Sequence, residues 1–255
     1  MIGLNSGLLG VRRVPTTNSA SGLWDSNEQV LAKRANIWPY GPNEIPGIGE
    51  AFGGGFFAGF ISHTANSVAT HALIVAPKAT GATGLTYALT TNYSWKTAGS
   101  DTPGTSSTFN GRANTDAMIT AGIASHPAAQ FCVNLNIAGF TDWYLPAWYE
   151  LEIAYFNLKP TTQANTTTVG INAYAVPARA SNYTSGTPAM ASGTAAAFNS
   201  TGAQRFEGTG NPSNHWTSTQ MSAANGKALG FFSGSSTDFS KTNNTAVRAF
   251  RRIAL

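Results

Sequence analysis

The chain has 255 residues, of which only 10% are charged, and its formal net charge is +4. Because soluble proteins usually carry about a quarter charged residues, Ser, Thr, Asn, Gly and Ala must cover much of the surface. Such a surface is typical of proteins that pack against copies of themselves or within a large assembly; the alternative is a polar, β-rich secreted domain. The basic residues form no long run interleaved with aromatic residues, so we expect no binding to nucleic acid.

The N-terminal residues and the few Cys and His residues limit the location and chemistry that we expect. The apolar start precedes Arg12 and Arg13 and is too short and Gly-rich for a secretion signal. No run approaches the roughly 18 apolar residues of a membrane span, so we expect a protein made in a cytoplasm, with no membrane insertion. A lone Cys132 permits no internal disulfide. The four histidines lack a metal-binding spacing, which predicts no metal and no cofactor.

Residues 1–40 differ in pattern from the rest of the chain. Ser26 and Gln29 have the spacing of a helix capping box, and Trp38-Pro39 ends the predicted helix. The segment is too short to fold alone. It therefore predicts a docking arm that lies on another protein through apolar and basic side chains, namely Leu23, Trp24, Val30, Leu31, Arg34 and Trp38. The alternative is an arm that folds back on its own domain.

Residues 41–46 are predicted to be a proline-containing linker, and residues 47–255 an α+β domain. The glycine triplet Gly53–Gly55 predicts a β-turn between two short strands. It lacks the Lys-Ser/Thr pair of a phosphate-binding loop. The apolar run Ala72–Ala76 predicts a buried strand, and residues 86–91 are a further strand candidate.

Three helices are predicted in the middle of the chain. The first spans Asn114–Ala121 with Asn114 as its cap, and the second spans Pro127–Leu135 with proline in its first turn. Cys132 on the second helix is predicted to be a small buried thiol. The third helix begins at Pro146, and its apolar face is predicted from residues at i, i+3 and i+7: Trp148, Leu151 and Tyr155.

The second half of the chain is predicted to contain an insert followed by strands. The polar stretch at about 161–213 is too long for a structureless loop in a compact domain, so it is predicted to carry hairpins, with a short strand at Tyr174–Pro177. From Trp216 onward, Gly-Ser and Asn-Asn turns separate further strands.

Three segments carry the most information: Gly139–Leu151, His215–Thr219 and Val247–Ile253. Asp142 is expected to accept backbone N–H groups at the start of the third helix. Glu150 is expected to pair with a C-terminal arginine, because a buried carboxylate needs a partner. Trp143 and Trp148 are expected to fill the core. The residues predicted to define this structural motif are Asp142, Trp143, Pro146, Glu150, Trp216, Ser218, Arg248 and Arg251. Ser218 lacks the context of a catalytic nucleophile, so no enzyme activity is predicted.

The order of these short motifs resembles the C-terminal domain family of the collagen-like adhesin Lcl, over about residues 47–255. The family usually has Arg where Tyr144 stands, Thr or Ser at Ala147, and Ser at Thr217. It is similar to C-type-lectin-like folds, in which helices and long loops flank a twisted, mainly antiparallel sheet. The resemblance implies a binding module, often trimeric, of adhesins and phage surface proteins. Formylglycine-generating enzymes share the fold but need two cysteines, and this chain has only Cys132.

A second resemblance concerns the segment Ser21–Pro39, which is similar to the leading segment of structural proteins of tailed phages, especially marine and cyanobacterial ones. Residues 174–206 resemble the insert of phage members of the Lcl-like family. These likenesses predict a protein of the virion surface, a homotrimer docked on other virion proteins by its N-terminal arm. They further predict a tail-fibre or baseplate adhesin for a host surface glycan or protein.

Receptor contacts are predicted on the insert, where aromatic side chains give contact area at low entropic cost. The candidates are Tyr174, Arg179 and Tyr183; the alternative is that these side chains pack the insert onto the core. Two other functions stay open. One is a capsid decoration or cement protein. The other, more remote, is a polysaccharide-active enzyme, which would need paired acidic groups in a cleft.

Overall fold

The computed structural model describes residues 45–83, 92–207 and 214–255. In these ranges helices and mainly antiparallel strands are combined, which confirms the α+β class. The strands in chain order are β1 Ala51–Phe52, β2 Gly55–Ile61, β3 His71–Val75, β4 Tyr93–Ser94, β5 Ala175–Val176, β6 Asn214–Gln220, β7 Asn225–Gly230, β8 Ser236–Ser240, β9 Asn244–Thr245 and β10 Phe250–Ala254. The predicted docking arm, with its six candidate side chains, and the strand candidate at 86–91 lie outside the described residues.

The largest sheet has five strands in the order β1-β2-β3-β10, and β5 pairs with β2 beyond the stretch that pairs with β1. Strand β3 lies between β2 and β10, and both pairings are antiparallel. Its residues Ala72–Val75 and the following Ala76 are fully buried. The apolar run therefore is the buried strand that the sequence predicts, because a central strand covered on both faces needs apolar side chains throughout.

The glycine triplet forms the tight turn between β1 and β2, as predicted. Gly53 and Gly54 have φ values of 56° and 81°, the left-handed region that both central residues of a type I′ turn occupy. Gly55 already belongs to β2, where a Cβ would lie 2.3 Å from the carbonyl oxygen of Val75. The seven residues of β2 make it longer than the short strand predicted.

Two smaller sheets are formed mainly by the C-terminal part of the chain. Strands β6, β7 and β8 form an antiparallel sheet of three strands, and β9 pairs with β4. The segments that join β7 to β8 and β8 to β9 contain Gly234-Ser235 and Asn243, where the sequence predicts turns. Strand β5 coincides with the predicted strand at Tyr174–Pro177.

Four α-helices are present in the described ranges: α1 Lys78–Gly81, α2 Gly111–Thr120, α3 Pro127–Val133 and α4 Trp148–Leu158. The predicted cap of α2 is wrong, because Asn110 caps the helix by accepting the N–H of Ala113 at 3.0 Å. Asn114 lies inside the helix and donates to the carbonyl of Ser107 and to the hydroxyl of Ser218. Asn114 is thus required for buried hydrogen bonds and not for capping, and it lies one turn after the residue that caps the helix.

Helix α3 begins at Pro127 as predicted, and its Cys132 is fully buried. Burial raises the pKa of the Cys132 thiol far above its usual range. The thiol donates to the carbonyl of Ala128. The prediction of a packing residue instead of a reactive one is consistent with both observations.

Helix α4 packs against β2 and supplies Leu151, Tyr155 and Leu158 to the main core. Asn157 anchors this contact by donating to the carbonyl of Ala58 at 2.8 Å. All of these elements lie in the compact unit Pro46–Leu255. Among the described residues, no helix has both the length and the hydrophobicity needed for a membrane crossing.

Replacing Gly54 by alanine should destabilise the domain, because the residue has a positive φ and its new Cβ would lie 2.4 Å from the ring of Phe140. We expect a loss of about 2 kcal/mol or more in the free energy of unfolding, measured by urea titration. The matched control is Gly186→Ala, where a Cβ has open space. Equal stability of the two variants would contradict this account of the turn.

Candidate functional site

The three informative segments of the sequence meet in the structure. Tyr144 and Phe250 exchange backbone hydrogen bonds of 2.8 and 3.0 Å. The N–H of Ser218 donates to the carbonyl of Pro146 at 2.7 Å, and the N–H of Trp148 donates to the hydroxyl of Thr219 at 3.1 Å. The start of α4 is therefore held by β6 on one side and joined to β10 through Tyr144. Trp143, Pro146, Trp216 and Ser218 are all buried at this junction.

The two carboxylates of the first segment have roles opposite to those predicted. Asp142 pairs with Arg251, accepting from Nε at 2.8 Å and from Nη2 at 3.1 Å. Arg251 also donates to the carbonyl of Gly53 and lies 3.9 Å from the ring centroid of Phe140. Asp142 precedes the helix by too many residues to reach its free N–H groups, so it binds the arginine instead.

Glu150 caps the helix that was predicted to be capped by Asp142. Its Oε2 accepts the N–H groups of Ala147 and Gly111 at 2.8 and 3.1 Å, and its Oε1 accepts the hydroxyl of Tyr144 at 2.9 Å. As the third residue of α4, it reaches back to the residue before the helix, as in a capping box. Burial raises the pKa of Glu150 to about 7, although these donors and the charge of Arg252 favour the ionised form.

Two further predictions about these segments need correction. Arg248 is fully buried, but it donates to the carbonyls of Ala76 and Gln204 instead of to Glu150. Burial lowers its pKa to about 9, against the opposing effect of Glu207. Trp148 is only partly buried and borders a pocket, whereas Trp143 is a core residue as predicted.

Replacing Asp142 by asparagine should leave the buried guanidinium of Arg251 without its charged partner. Because the Asp142 side chain is 39% exposed, solvent screens the pair, and we expect a loss of only about 1 to 2 kcal/mol in the free energy of unfolding. The control is Asp116→Asn, which breaks the exposed pair with Arg112 on α2 and should change stability by less than about 0.5 kcal/mol. A cost no larger for Asp142 than for Asp116 would contradict the assigned role.

The three candidate receptor contacts also make contacts between the insert and the rest of the domain. Tyr183 is 6% exposed and packs on Tyr155 and Phe156. Arg179 pairs with Glu152 and lies 4.3 Å from the ring centroid of Phe156. Tyr174 is partly buried and stacks on Phe109 and Tyr149. These contacts match the alternative in which the insert packs onto the core, and receptor binding by these side chains stays a prediction.

A pocket of about 250 Å³ lies where α4, the insert and the β7–β8 region meet. Helix α4 contributes one wall. The ring of Tyr149 stacks on those of Trp148 and Tyr174, with distances of 5.0 and 5.6 Å between ring centroids. The insert and the three-stranded sheet contribute the others. The lining residues are Trp148, Tyr149, Glu152, Thr168, Val169, Gly170, Ile171, Asn182, Leu229, Gly234 and Ser236.

Glu152 is the carboxylate of this lining, and it is only 3% exposed. Its Oε2 accepts from Asn172 at 2.5 Å and from Arg179. Its Oε1 is buried and has no donor among the described residues. Burial raises the pKa of Glu152 to about 7, against the effects of Arg179 and Asn172. Among the described lining residues Glu152 is thus the carboxyl group, and two residues of the insert hold it through Oε2.

The sequence pattern does not reveal this pocket, because its lining comes from four separate stretches of the chain. Glu152 stands on the predicted helix, and Asn182 and Thr168 lie within the predicted insert. Only the folding of the insert over α4 brings them together. A second carboxylate two residues after Glu150 on a strongly apolar helix was the one available signal, since a buried charge needs a partner.

The described residues contain no cluster of three or more His, Cys, Asp or Glu that could hold a metal ion. Comparison of the sequence with models of known protein families and with curated proteins finds no match. The chemistry of the site therefore rests on its own geometry: a partly apolar pocket bordered by aromatic and polar side chains is suited to binding a small polar group.

The buried Glu152 should make stability depend on pH. Because its pKa is raised from 4.5 to about 7, the folded chain keeps a proton that the unfolded chain loses, and stability falls as pH rises between these values. The pKa values of His63 and His71 are lowered to about 4 by burial and the nearby Arg252. These histidines act in the opposite direction, raising stability as pH rises from about 4 to 6.5.

A variant isolates the contribution of Glu152 from that of the histidines. Between pH 5 and 7, the free energy of unfolding of Glu152→Gln should rise relative to that of the unchanged chain by up to about 1.4 kcal/mol per pH unit, measured by urea unfolding. Asn182→Ala alters the same pocket without removing a titrating group. Its free energy of unfolding should differ from that of the unchanged chain by the same amount at every pH. If the stability difference between Glu152→Gln and the unchanged chain were also independent of pH, the raised pKa of Glu152 would be contradicted.

Proposed function

We propose that this chain is a surface protein of a tailed phage particle, a non-enzymatic adhesin of the tail fibre or baseplate that attaches the particle to a host surface glycan or protein. The sequence resemblances suggest the virion and a C-type-lectin-like domain of residues 47–255. The N-terminal arm would dock the protein on the particle, as a homotrimer. The α+β arrangement of the described residues is compatible with that domain, since helices and the insert flank mainly antiparallel sheets.

The observation that carries the binding function is the pocket beside α4. It combines an aromatic wall, a backbone stretch of the insert and the polar residues Thr168, Asn182 and Ser236. A small number of polar groups in a partly apolar pocket is the usual composition of a site for a small ligand or for one unit of a larger one. The insert supplies Val169–Ile171 and Asn182 to it, so the part of the chain predicted to bind a receptor does border a pocket.

The same lining argues for binding over hydrolysis. Hydrolysis of a glycosidic bond uses two carboxyl groups that flank the bond about 5 to 10 Å apart. Among the described lining residues, Glu152 is the only carboxylate. It is already engaged by Arg179 and Asn172 through its other oxygen. The arrangement suits recognition of a group more than transfer of a proton to it.

The full-length chain should bind intact cells of the host bacterium, and excess soluble chain should slow adsorption of the phage. Labelled antibody should locate the protein at the tail in electron micrographs, in few copies. Absence of cell binding, together with labels spread in many copies over the capsid, would overturn the adhesin proposal and favour a capsid decoration protein.

The docking arm has its own test. A chain lacking residues 1–39 should fail to be incorporated into particles while its circular dichroism and thermal unfolding stay those of a folded domain. A matched substitution, Trp38→Ala in the full chain, should reduce incorporation without abolishing it. Normal incorporation of the shortened chain would contradict the assignment of the arm.

A further inference from the structure

Arg252 on β10 has a guanidinium group that the described residues satisfy only in part. Its Nη1 donates to Nε2 of His63 at 3.2 Å and to Oδ1 of Asn110 at 2.8 Å. Its Nε and Nη2 have no acceptor among the described residues, and no acidic side chain there forms an ion pair with it. Both nitrogens are accessible to solvent, since none of the buried side-chain atoms that lack a partner belongs to Arg252. Three of the five N–H groups that a guanidinium carries are therefore open to a ligand.

The neighbouring residue shows what this open edge can hold. Arg251 binds the carboxylate of Asp142 through the same two nitrogens, Nε at 2.8 Å and Nη2 at 3.1 Å. Their two parallel N–H groups match two oxygens of a carboxylate or of a phosphate. Because successive side chains of a strand point to opposite faces of its sheet, Arg252 presents the same edge on the other face. There, no carboxylate of the described residues pairs with it.

Arg252 and His71 stand on one face of the main sheet. Arg252 lies opposite Leu73, and His71 lies opposite Ala254, and directly opposed residues of antiparallel strands share a face. Leu73 belongs to the same core as the apolar side chains of α4, so the cluster lies at the end of that core, where β3 begins. His63 follows β2 and completes the cluster, with its ring centroid 4.4 Å from that of His71. Because two hydrogen bonds already hold the guanidinium, less conformational freedom is lost when it binds a ligand.

His63 and His71 are neutral near pH 7. The pKa of each is lowered to about 4, first by burial and then by the charge of Arg252. Because an arginine can only donate, Nε2 of His63 accepts, and the ring carries its proton on Nδ1. The hydroxyl of Thr70 donates to the carbonyl of Ile61 and therefore accepts from Nδ1 of His71. Nε2 of His71 is left to take up a proton, so the cluster can gain positive charge when an anion binds.

One carboxylate lies near enough to offset part of the charge of Arg252. Burial raises the pKa of Glu150 to about 7, and the charge of Arg252 is among the effects that oppose this rise. The oxygens of Glu150 accept from Ala147, Gly111 and Tyr144. Burial also raises the pKa of Tyr144, so its hydroxyl stays uncharged. Near pH 7 Glu150 is only partly ionised, and a net positive charge is left at the open edge of Arg252.

A row of partly buried aromatic rings joins this cluster to the pocket beside α4. The ring centroid of Phe109 lies 5.4 Å from that of His63 and 4.2 Å from that of Tyr174, on which it stacks. Tyr174 stacks in turn on Tyr149, which lines the pocket. These rings keep water from one side of the cluster, and hydrogen bonds are stronger where water is partly excluded.

From these observations we infer that the open edge of Arg252 binds one carboxylate or phosphate group through parallel hydrogen bonds from Nε and Nη2, beside His63 and His71. This oxyanion site stands on the geometry of the cluster. That the bound group belongs to the host receptor rests on the proposed attachment function, and it deepens that proposal by naming a charged group that the receptor carries.

The test is a titration of the full-length chain with three small molecules, at an ionic strength of about 0.15 M to screen distant surface charges. They are methyl glucuronide, which carries a carboxylate, a phosphate ester of glucose, and methyl glucoside, which carries neither. Ligand-observed NMR should show that at least one anion binds at least about tenfold more tightly than methyl glucoside. The anion that binds more tightly identifies the oxyanion as carboxylate or phosphate. If neither anion binds more tightly than methyl glucoside, the inference is overturned.

Variants connect the binding to Arg252. Arg252→Gln removes the charge and the parallel N–H groups, and it should weaken binding of the preferred anion by about tenfold or more. Arg252→Lys keeps the charge without the parallel N–H groups and should weaken binding by a smaller factor. The matched control is Arg112→Gln, which removes an exposed arginine of α2 that pairs with Asp116 and should leave binding unchanged. Unchanged binding by both Arg252 variants, or an equal loss in the Arg112 variant, would contradict the site.

A measurement on the unchanged chain tests the site without any substitution. A bound anion should raise the pKa values of His63 and His71 from about 4, because a nearby negative charge favours the protonated ring. Their NMR signals, titrated with and without saturating anion, should show a rise of about 0.5 or more. The buried His126, which contacts Thr102 instead, is the internal control and should titrate unchanged. No rise for either His63 or His71 would place the anion elsewhere.

The outcome can be separated from that of the attachment proposal. If the chain binds host cells but neither anion binds and the Arg252 variants still attach, the oxyanion site fails and attachment stands. If an anion binds at Arg252 as expected but host cells are not bound, the oxyanion site stands and the attachment proposal fails.

Discussion

The buried carboxylate of Glu150 is the interaction on which the centre of this domain depends. One oxygen receives the N–H groups at the beginnings of two helices, Gly111 of α2 and Ala147 before α4. The other receives the hydroxyl of Tyr144, whose backbone pairs with β10. Because the first N–H groups of a helix have no partners within the helix, one acidic side chain here satisfies two helix starts and fixes their positions relative to the main sheet. Gly111 is part of this arrangement, since a Cβ there would lie 2.4 Å from both Glu150 and the N of Ala147.

How much the sequence predicts depends on whether a signal is local. The buried strand β3, the glycine turn before β2 and the proline that begins α3 were all predicted correctly, because each depends on the conformations that its own residues allow. The roles of Asp142 and Glu150 were exchanged, because both stand near one helix start and their partners, Arg251 and Gly111, are distant in the chain. The cap of α2 was wrongly predicted at Asn114 for the same reason. Asn114 makes a buried hydrogen bond to Ser218, which is distant in the chain. The pocket was not predicted, since it exists only where the insert covers α4, and Glu152 on that helix was its one local signal.

The insert is tied to α4 by polar contacts as well as by packing. Glu152 holds Asn172 and Arg179, while Lys159 at the end of the helix donates to Asn165 and to the backbone of Gln163. Such contacts are strong only in one geometry, so they define how the insert lies on the helix. The surface of the pocket is then a fixed shape built on a regular element, which lowers the entropic cost of binding. Residues at the rim whose side chains make no hydrogen bond within the described part of the chain, such as Thr168 and Asn182, can vary without disturbing this base.

The order of strands in the main sheet has a consequence for how the domain forms during synthesis. Strand β10, the last strand of the described residues, pairs along its whole length with β3, which is made about 180 residues earlier. Arg251 on this strand reaches both Gly53 and Asp142. The core therefore stays incomplete on the ribosome until β10 has emerged, and until then β3 has one unpaired edge, opposite the edge that pairs with β2. The main sheet of a nascent chain is therefore completed late, and the slowest folding event is expected to be the pairing of these strands, which are distant in the sequence.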